Sequence, residues 1–184
     1  VLLAGRDVIG GSQTGTGKTA ALALPILSRL LRGPSGLRAL ILEPTRELAL
    51  QVEQHIRDLG RHTPLRYTVL YGGVRYGKQK DALRQGVDVV GATPGRLLDL
   101  QHQRAAVLDR VEMLVLDEAD RMLDMGFAPD IHRIVNSLPR KRQSMLFSAT
   151  VFPQLEALAS SILQNPLQVA VAPPARPAEG VQNV

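Results

Sequence analysis

The sequence predicts an α/β fold with a mainly parallel central sheet and helices on both faces. Short β-branched, apolar runs alternate along the chain with amphipathic helical patterns, which is typical of βαβ units. Several of these runs are apolar at nearly every position, which predicts strands buried on both faces. In sheets of this kind, ligands bind beyond the carboxyl ends of the strands.

The first strand and the first helix flank a glycine-rich turn. Val8 and Ile9 form a short strand, and the helix after the turn carries residues 20–31. The glycines and the proline of residues 32–36 break that helix. The next strand, Ala39–Leu42, is apolar throughout, so we expect it to be buried.

A second helix begins at Pro44-Thr45, because apolar residues recur there on one helical face: Leu48, Val52, Ile56 and Leu59. Two strands follow, over residues 67–70 and 87–90. Glycines form a turn behind the first of them, and Thr93-Pro94-Gly95 closes the second.

The last third of the chain repeats the pattern. Met113–Leu116 is a strongly apolar strand, and residues 144–147 form another. A helix between them follows Pro129 and has an apolar stripe of Ile131, Ile134, Val135 and Leu138. The final helix begins near Pro153 and carries Leu155, Leu158, Ala159, Ile162 and Leu163.

The chain has the length of a single domain. It contains 184 residues, and we expect the domain to cover residues 1–171, followed by a proline-rich linker or tail over 172–184. There is no cysteine, which excludes disulfides and cysteine-ligated metals. No apolar run is long enough for a membrane span, so no membrane partner is expected. We expect a cytoplasmic location, with the bacterial cytoplasm slightly favoured and the nucleus open for a eukaryotic protein.

The charge balance is basic. The formal net charge is +5 and the isoelectric point is about 10.1. A basic balance favours a polyanionic partner such as nucleic acid. A solvated basic surface without a partner fits the same numbers, so both interpretations stay open at this point.

A phosphate-binding loop is the strongest local signal. The segment after the first strand carries the motif and opens a helix: Ser12, Gln13, Thr14, Gly15, Thr16, Gly17, Lys18 and Thr19. Glycines let the backbone approach phosphate oxygens, and the helix start directs amides at them. Lys18 is placed for the β- and γ-phosphates, and the Thr19 hydroxyl for Mg²⁺. The general motif begins with glycine where this chain has Ser12. A plain glycine turn is the alternative, but it would not need Lys-Thr at the helix start.

Acidic residues follow the most apolar strand. Asp117 and Glu118 come directly after Met113–Leu116, so they lie at the edge where the phosphate loop is expected. Asp117 is placed to hold Mg²⁺ through water, and Glu118 to position the water that attacks the γ-phosphate. A charged helix start is the alternative interpretation, since acids are favoured there anyway.

These residues resemble a known family. Asp117-Glu118-Ala119-Asp120 matches the motif that gives the DEAD-box RNA helicases their name, and residues 13–19 match the family's motif I. Further matches follow in family order: Pro44 to Ala49 (motif Ia), Gly72-Gly73, Thr93 to Arg96 (motif Ib) and Ser148 to Thr150 (motif III). Each short motif alone also fits a cap or a turn. The family commonly has alanine where this chain has Ser12.

The resemblance implies a RecA-like P-loop NTPase domain with ATP and Mg²⁺ as cofactors. It implies that Lys18, Asp117 and Glu118 are catalytic, and that Thr19 and Asp117 serve the metal. It implies RNA-backbone contacts, largely independent of sequence, by Pro44, Thr45, Arg46, Gly72, Gly73, Thr93, Gly95 and Arg96. Asp120, Ser148 and Thr150 would couple the acidic motif to RNA binding through hydrogen bonds.

The resemblance also implies a second RecA-like domain as a partner. The family's motifs IV to VI and its adenine-recognising Q motif have no counterpart in this sequence. An arginine finger contributes roughly 10³ to 10⁵ in rate in related sites, so we expect this chain alone to be nearly inactive. The expected activity of the parent is ATP-dependent unwinding of short RNA duplexes. The alternatives are a low-turnover RNA clamp or scaffold, and another P-loop nucleic-acid motor.

Overall fold

One parallel sheet of seven strands organises the part of the chain that the structure describes. The computed structural model describes residues 2–11, 18–150 and 152–170. The spatial order is β3-β4-β2-β5-β6-β1-β7, and every pairing is parallel. The strands are β1 (Val8–Gly11), β2 (Ala39–Leu42), β3 (Tyr67–Leu70), β4 (Val89–Ala92), β5 (Met113–Leu116), β6 (Gln143–Ser148) and β7 (Leu167–Ala170). The α/β prediction is confirmed, and the sheet is wholly parallel.

Helices cover both faces of the sheet, as predicted. They are α1 (Lys18–Leu30), α2 (Arg46–Gly60), α3 (Gly77–Gln85), α4 (Pro94–His102), α5 (Ala119–Asp124), α6 (Ala128–Asn136) and α7 (Pro153–Ile162). Successive strand residues point to opposite faces, so Ile41 packs in a core with α1 and α2. Its neighbours Leu40 and Leu42 pack in a second core with α4, α6 and α7. Among the described helices, none has the length and apolar character to cross a membrane.

Local chemistry explains several helix boundaries. Thr45 has extended backbone angles, and its Oγ1 accepts the Leu48 N–H at 3.4 Å, which caps α2. Proline occupies the first turn of α4, α6 and α7, where its missing N–H costs nothing. Gly86 follows α3 with a φ of 85°, a conformation that glycine adopts without a steric penalty.

Four of the strands and α-helices named above were not predicted from the sequence, and one strand is displaced. Helix α3 is mostly polar, α4 was interpreted only as a turn, and α5 and β7 are short. Strand β4 covers Val89–Ala92 instead of residues 87–90. The Asp88 carbonyl accepts the Arg38 and Ala39 amides in the approach to the sheet, while Gly91 and Ala92 pair with β2. Weak strand propensity at Gly91 and Ala92 hid this register.

Two buried aspartates fasten the amino edge, the edge of the sheet at which the strands begin. Asp7 accepts the Ser144 and Gln164 amides, each at 2.7 Å, through its two carboxylate oxygens. Asp88 likewise accepts the Gly36 amide at 3.2 Å and the Arg66 amide at 2.8 Å. Exposed fractions of 7% and 4% mean that these charge-assisted bonds replace hydration. They fix the connections that lead into the strands.

Candidate functional site

The sheet order brings the ends of three strands together. Strand β6 lies between β1 and β5, so the carboxyl ends of these strands are neighbours at one edge of the sheet, the carboxyl edge. With strands about 4.8 Å apart, the ends of β1 and β5 are roughly 10 Å from each other. Lys18 begins α1 and Thr19 is half-buried in its first turn. The remaining residues of the predicted phosphate loop lie outside the described residues: Ser12, Gln13, Thr14, Gly15, Thr16 and Gly17.

Asp117 is a buried carboxylate at the end of β5. Asp117 is only 3% exposed, and its N–H donates to the Leu42 carbonyl at 3.0 Å. One carboxylate oxygen accepts the Glu118 N–H at 2.8 Å. The geometry therefore fixes the Asp117 side chain at the carboxyl edge, one strand away from β1, where a carboxylate suits a hard cation.

Glu118 has a left-handed backbone, with φ 49° and ψ 49°. This conformation costs an L-residue roughly 1–2 kcal/mol, and such conformations cluster at functional sites. The carboxylate lies 3.4 Å from the Arg121 guanidinium, and the Glu118 side chain is 18% exposed. At Glu118 the chain turns away from the direction of β5, and α5 begins at the next residue.

Asp120 joins the acidic segment to the end of β6. Its Oδ2 accepts three hydrogen bonds, from Thr150 Oγ1 at 2.8 Å, the Thr150 amide at 3.1 Å and the Ala149 amide at 3.2 Å. Burial raises the pKa of Asp120, but hydrogen bonds led by the Thr150 hydroxyl and the Arg121 amide outweigh it, so this pKa lies below its usual value. The link between these two motifs is thus built on an ionised carboxylate.

Ser148 supports the same turn from within. It is 3% exposed, and its hydroxyl donates to the Thr150 carbonyl at 2.6 Å and accepts the Thr150 amide at 3.3 Å. The hydroxyl also contributes to the lowered pKa of Asp120. Ser148 therefore shapes the loop that presents Thr150 to Asp120.

A second group of predicted residues lines the same edge beyond β2, β4 and β3. These residues follow the three strands: Pro44, Thr45 and Arg46 after β2, Gly72 and Gly73 after β3, and Thr93 and Gly95 after β4. A side chain added at Gly72, Gly73 or Gly95 would meet no atom within 4 Å. Packing does not demand glycine at these positions, although the φ of 78° favours it at Gly73. The glycines leave backbone open to the solvent side.

Arg96 is the predicted RNA-contact residue that the structure turns inward. It is 8% exposed, and its guanidinium donates to Gln79 Oε1 at 3.1 Å and to the Val74 carbonyl at 3.0 Å. The Tyr76 ring lies 4.2 Å from its Cζ. These contacts tie the loop after Gly73 to α4. Arg96 is placed to position that loop, and the geometry does not support a direct phosphate contact.

Sequence reasoning missed Tyr76 and Gln79, which hold Arg96. A signal for Tyr76 existed, because the chain has only three tyrosines and two lie close to Gly72-Gly73. The other of those two, Tyr71, has the Arg46 guanidinium 4.7 Å from its ring centre. Arg46 remains exposed, so it is the arginine of this group that can reach a phosphate.

A metal at this edge would depend on more than protein side chains. Within the described ranges, no group of three or more His, Cys, Asp or Glu residues could hold an ion. Asp117 and the Thr19 hydroxyl are the described oxygen ligands nearest in the sheet order. This sparse set fits Mg²⁺, which keeps several waters and takes its other ligands from substrate phosphates.

Comparison with known proteins gives consistent matches along the chain. A family described as DEAD/DEAH box helicase matches residues 1–158. An ATP-dependent rRNA helicase of Aspergillus oryzae is 49% identical over 171 residues, which is 92% of this chain and 36% of that protein. A DEAD-box ATP-dependent RNA helicase of Streptococcus pneumoniae is 44% identical over 170 residues, covering 92% of this chain and 32% of that protein. The chain therefore spans about a third of the length of these relatives.

The fold also matches a solved structure. A hypothetical ATP-dependent RNA helicase from Sulfolobus tokodaii superposes with a TM-score of 0.85 at 38% sequence identity. The match covers 92% of this chain and 49% of that chain. The predicted RecA-like sheet and its helices are thereby confirmed.

Proposed function

Because this chain belongs to the DEAD/DEAH box helicase family, we propose that it is the ATP-binding domain of an ATP-dependent RNA helicase. The observation that carries the proposal is the convergence, at the carboxyl edge, of the end of β1, the Ser148 to Thr150 turn after β6, and Asp117 with Glu118 after β5. The predicted phosphate loop follows β1 in the sequence and precedes Lys18 at the start of α1, which supports its place at this edge. The domain extends over residues 1–171, with residues 172–184 as a linker or tail.

In this proposal the start of α1 and the loop before it bind the phosphates of ATP. The helix start supplies amides and a partial positive charge, and Lys18 neutralises the β- and γ-phosphates. Thr19 and Asp117 would hold Mg²⁺, which supplies charge neutralisation on the transferred phosphoryl group. Glu118 orients the attacking water. Its turned backbone, which departs from the direction of β5, supports a role that differs from that of Asp117.

RNA would bind beyond β2, β4 and β3. The open backbone at Gly72, Gly73 and Gly95, together with exposed Arg46, suits phosphate oxygens and carries little sequence information. Half-buried Thr45 and Thr93 complete this surface, whereas Pro44 is buried and supports it from behind. Arg96 lies behind this surface, where its hydrogen bonds hold the loop that carries Gly72 and Gly73.

Asp120 and Thr150 would couple the two halves of this edge. Their hydrogen bonds join the connection that follows β5 to the one that follows β6. A shift of the Ser148 to Thr150 turn therefore moves the segment that carries Asp117 and Glu118. Turnover would require the second RecA-like domain, whose arginines complete the site. Repeated cycles of ATP binding and hydrolysis would then separate short RNA duplexes in the cytoplasm.

Phosphate release from Mg-ATP, with and without RNA, tests this proposal. It would be measured for this chain and for the chain extended through a second domain. We expect activity only in the extended protein, stimulated by RNA. K18A should abolish nucleotide binding, whereas E118Q should retain binding and lose turnover. Rapid turnover by this chain alone, or nucleotide affinity unchanged in K18A, would contradict the proposal.

A further inference from the structure

The amino edge of the sheet carries an exposed basic surface that the proposed ATP and RNA sites do not use. Its members are the exposed side chains that precede β1, β2, β5 and β6: Arg6, Arg32, Arg110, Arg140 and Lys141. These four strands are neighbours in the order β2-β5-β6-β1. We call these five residues the amino-edge basic surface. At about 4.8 Å between strands it is roughly 14 Å wide.

Several members of this surface contact the connections that carry the others. The Arg110 guanidinium lies next to the connection before β2. A Cβ built at Gly36 would be 3.3 Å from its Nη1. Arg32 lines a surface pocket together with Met113 and Gln143, the first residues of β5 and β6. Arg142 fixes the turn that carries Arg140 and Lys141, since its guanidinium donates to the Pro139 carbonyl at 2.8 Å.

The acids at this edge do not neutralise it. Asp7 and Asp88 are buried and accept main-chain amides. Glu112 lies 3.7 Å from buried Arg38, and its side chain is 42% exposed. Asp109 is the other exposed acid in these connections, so two acids face five basic side chains. Within the described residues, none of Arg110, Arg140 and Lys141 forms an ion pair.

Helix dipoles do not account for these positions either. Basic residues in a last helical turn complement the partial negative charge of the helix end, and this effect fades beyond that turn. Arg110 follows α4, which ends at His102, and Arg140 and Lys141 follow α6, which ends at Asn136. They stand in connections well past both ends. Their charge is therefore directed at solvent or at a partner.

We propose that the amino-edge basic surface binds the phosphate backbone of double-stranded RNA, as a second RNA site opposite the carboxyl edge. Arginine predominates there, and its guanidinium suits phosphate oxygens. A duplex carries roughly one charge per 1.7 Å of axis, so several phosphates fit across the surface. The inference rests on the proposed function in one respect, namely that the parent protein meets RNA.

The two RNA sites would act on different parts of one substrate. Strands of four to six residues separate the two edges by roughly 13–20 Å, so one phosphate cannot contact both. A duplex arm held at the amino edge would raise the local concentration of its single-stranded flank at the carboxyl edge. The site would thereby favour structured RNA over isolated single strands.

A pair of matched triple variants tests the inference by fluorescence anisotropy. R110Q/R140Q/K141Q removes charge from the amino edge. R46Q/R75Q/K78Q removes the same charge from the carboxyl edge, where Arg75 is exposed in the connection after β3 and Lys78 in the first turn of α3. Each would be titrated with a blunt RNA duplex without nucleotide, and with a single strand plus a non-hydrolysable ATP analogue. Salt would be varied from about 50 to 200 mM, because each lost phosphate contact lowers the salt slope by about 0.9.

We expect the amino-edge variant to lose duplex affinity roughly tenfold or more, with a slope lower by about 2–3, and to keep single-strand binding. The carboxyl-edge variant should show the reverse. Unchanged duplex affinity and slope in the amino-edge variant would overturn the inference while leaving the proposed function standing. Displacement of the duplex by polyglutamate of equal charge would assign the surface to an acidic protein and also overturn it. If the unmodified chain binds no RNA of either kind, both proposals fail.

Discussion

Replacing Thr150 by valine isolates one bond of the link between the acidic segment and the end of β6. The substitution keeps the shape of the side chain and replaces its hydroxyl with a methyl group. Asp120 Oδ2 then loses the donor at 2.8 Å and keeps the two main-chain amides of Ala149 and Thr150. T150S is the matched control, because it retains the hydroxyl and loses only a methyl group.

The expected loss follows from the geometry and from solvent screening. A hydrogen bond to a charged group contributes about 1.5–3 kcal/mol when buried. Asp120 is only partly buried, so water screens the interaction and we expect T150V to lower the free energy of unfolding by about 1 kcal/mol. The hydrogen bonds hold the pKa of Asp120 below its usual value against the opposing effect of burial. Their contribution is therefore present above the unfolded carboxyl pKa, about 3.9, and is lost as the pH falls through the folded pKa.

Urea unfolding followed by circular dichroism, in a series from pH 7 to about pH 3, measures both effects. The difference between the unmodified protein and T150V should be constant near neutrality and should shrink at the acid end. T150S should follow the unmodified protein. A difference that stays the same throughout the series, or a T150S variant as unstable as T150V, would refute the assignment of the stabilisation to this charged hydrogen bond.

Four further outcomes are expected, all from unfolding measurements. A methyl group added at Gly91 would overlap the Tyr67 hydroxyl, so G91A should cost about 1–3 kcal/mol, and Y67F should recover most of it; additive effects would contradict the clash. Burial raises the pKa of Tyr67, so only the unfolded chain ionises above about pH 10 and stability should fall there; Y67F should lack this fall. D7A leaves the buried Ser144 amide and the part-buried Gln164 amide without their acceptor and should cost roughly 3 kcal/mol; a loss below about 1 kcal/mol would contradict it. E118G should be more stable than E118A by about 1 kcal/mol, because only glycine adopts the left-handed conformation freely; equal stability would refute the strain.

Strands with strong local signals could be predicted, and those defined by their neighbours could not. Strands β2 and β5 have four apolar residues each and were located with their bounds. Strand β4 includes Gly91 and Ala92, whose strand propensity is weak, so its register depends on pairing with β2 and β3. Helix α3 has little apolar surface, and its existence depends on contacts outside its own sequence.

The site shows the same division. Asp117 and Glu118 could be placed from the sequence because the end of a parallel strand has a fixed location. The direction of a side chain has no such rule. Arg96 has the chemistry of a phosphate ligand, yet Val74, Tyr76 and Gln79 draw it inward. Those partners lie about twenty residues earlier in the chain, and no periodicity connects them with Arg96.

Strand β1 is made first but lies between the two strands that are made last among those described, which has a consequence for synthesis. Its partners are β6 and β7, and Val8 pairs with Met145 and Leu167. At about 5–20 residues per second, a ribosome makes β6 roughly 7–27 s after β1. During that interval β2, β3, β4 and β5 can pair among themselves while β1 has no strand to join. The pairing of β1 in the nascent chain therefore waits for β6, and a product that stops before β6 would leave β1 without a neighbouring strand.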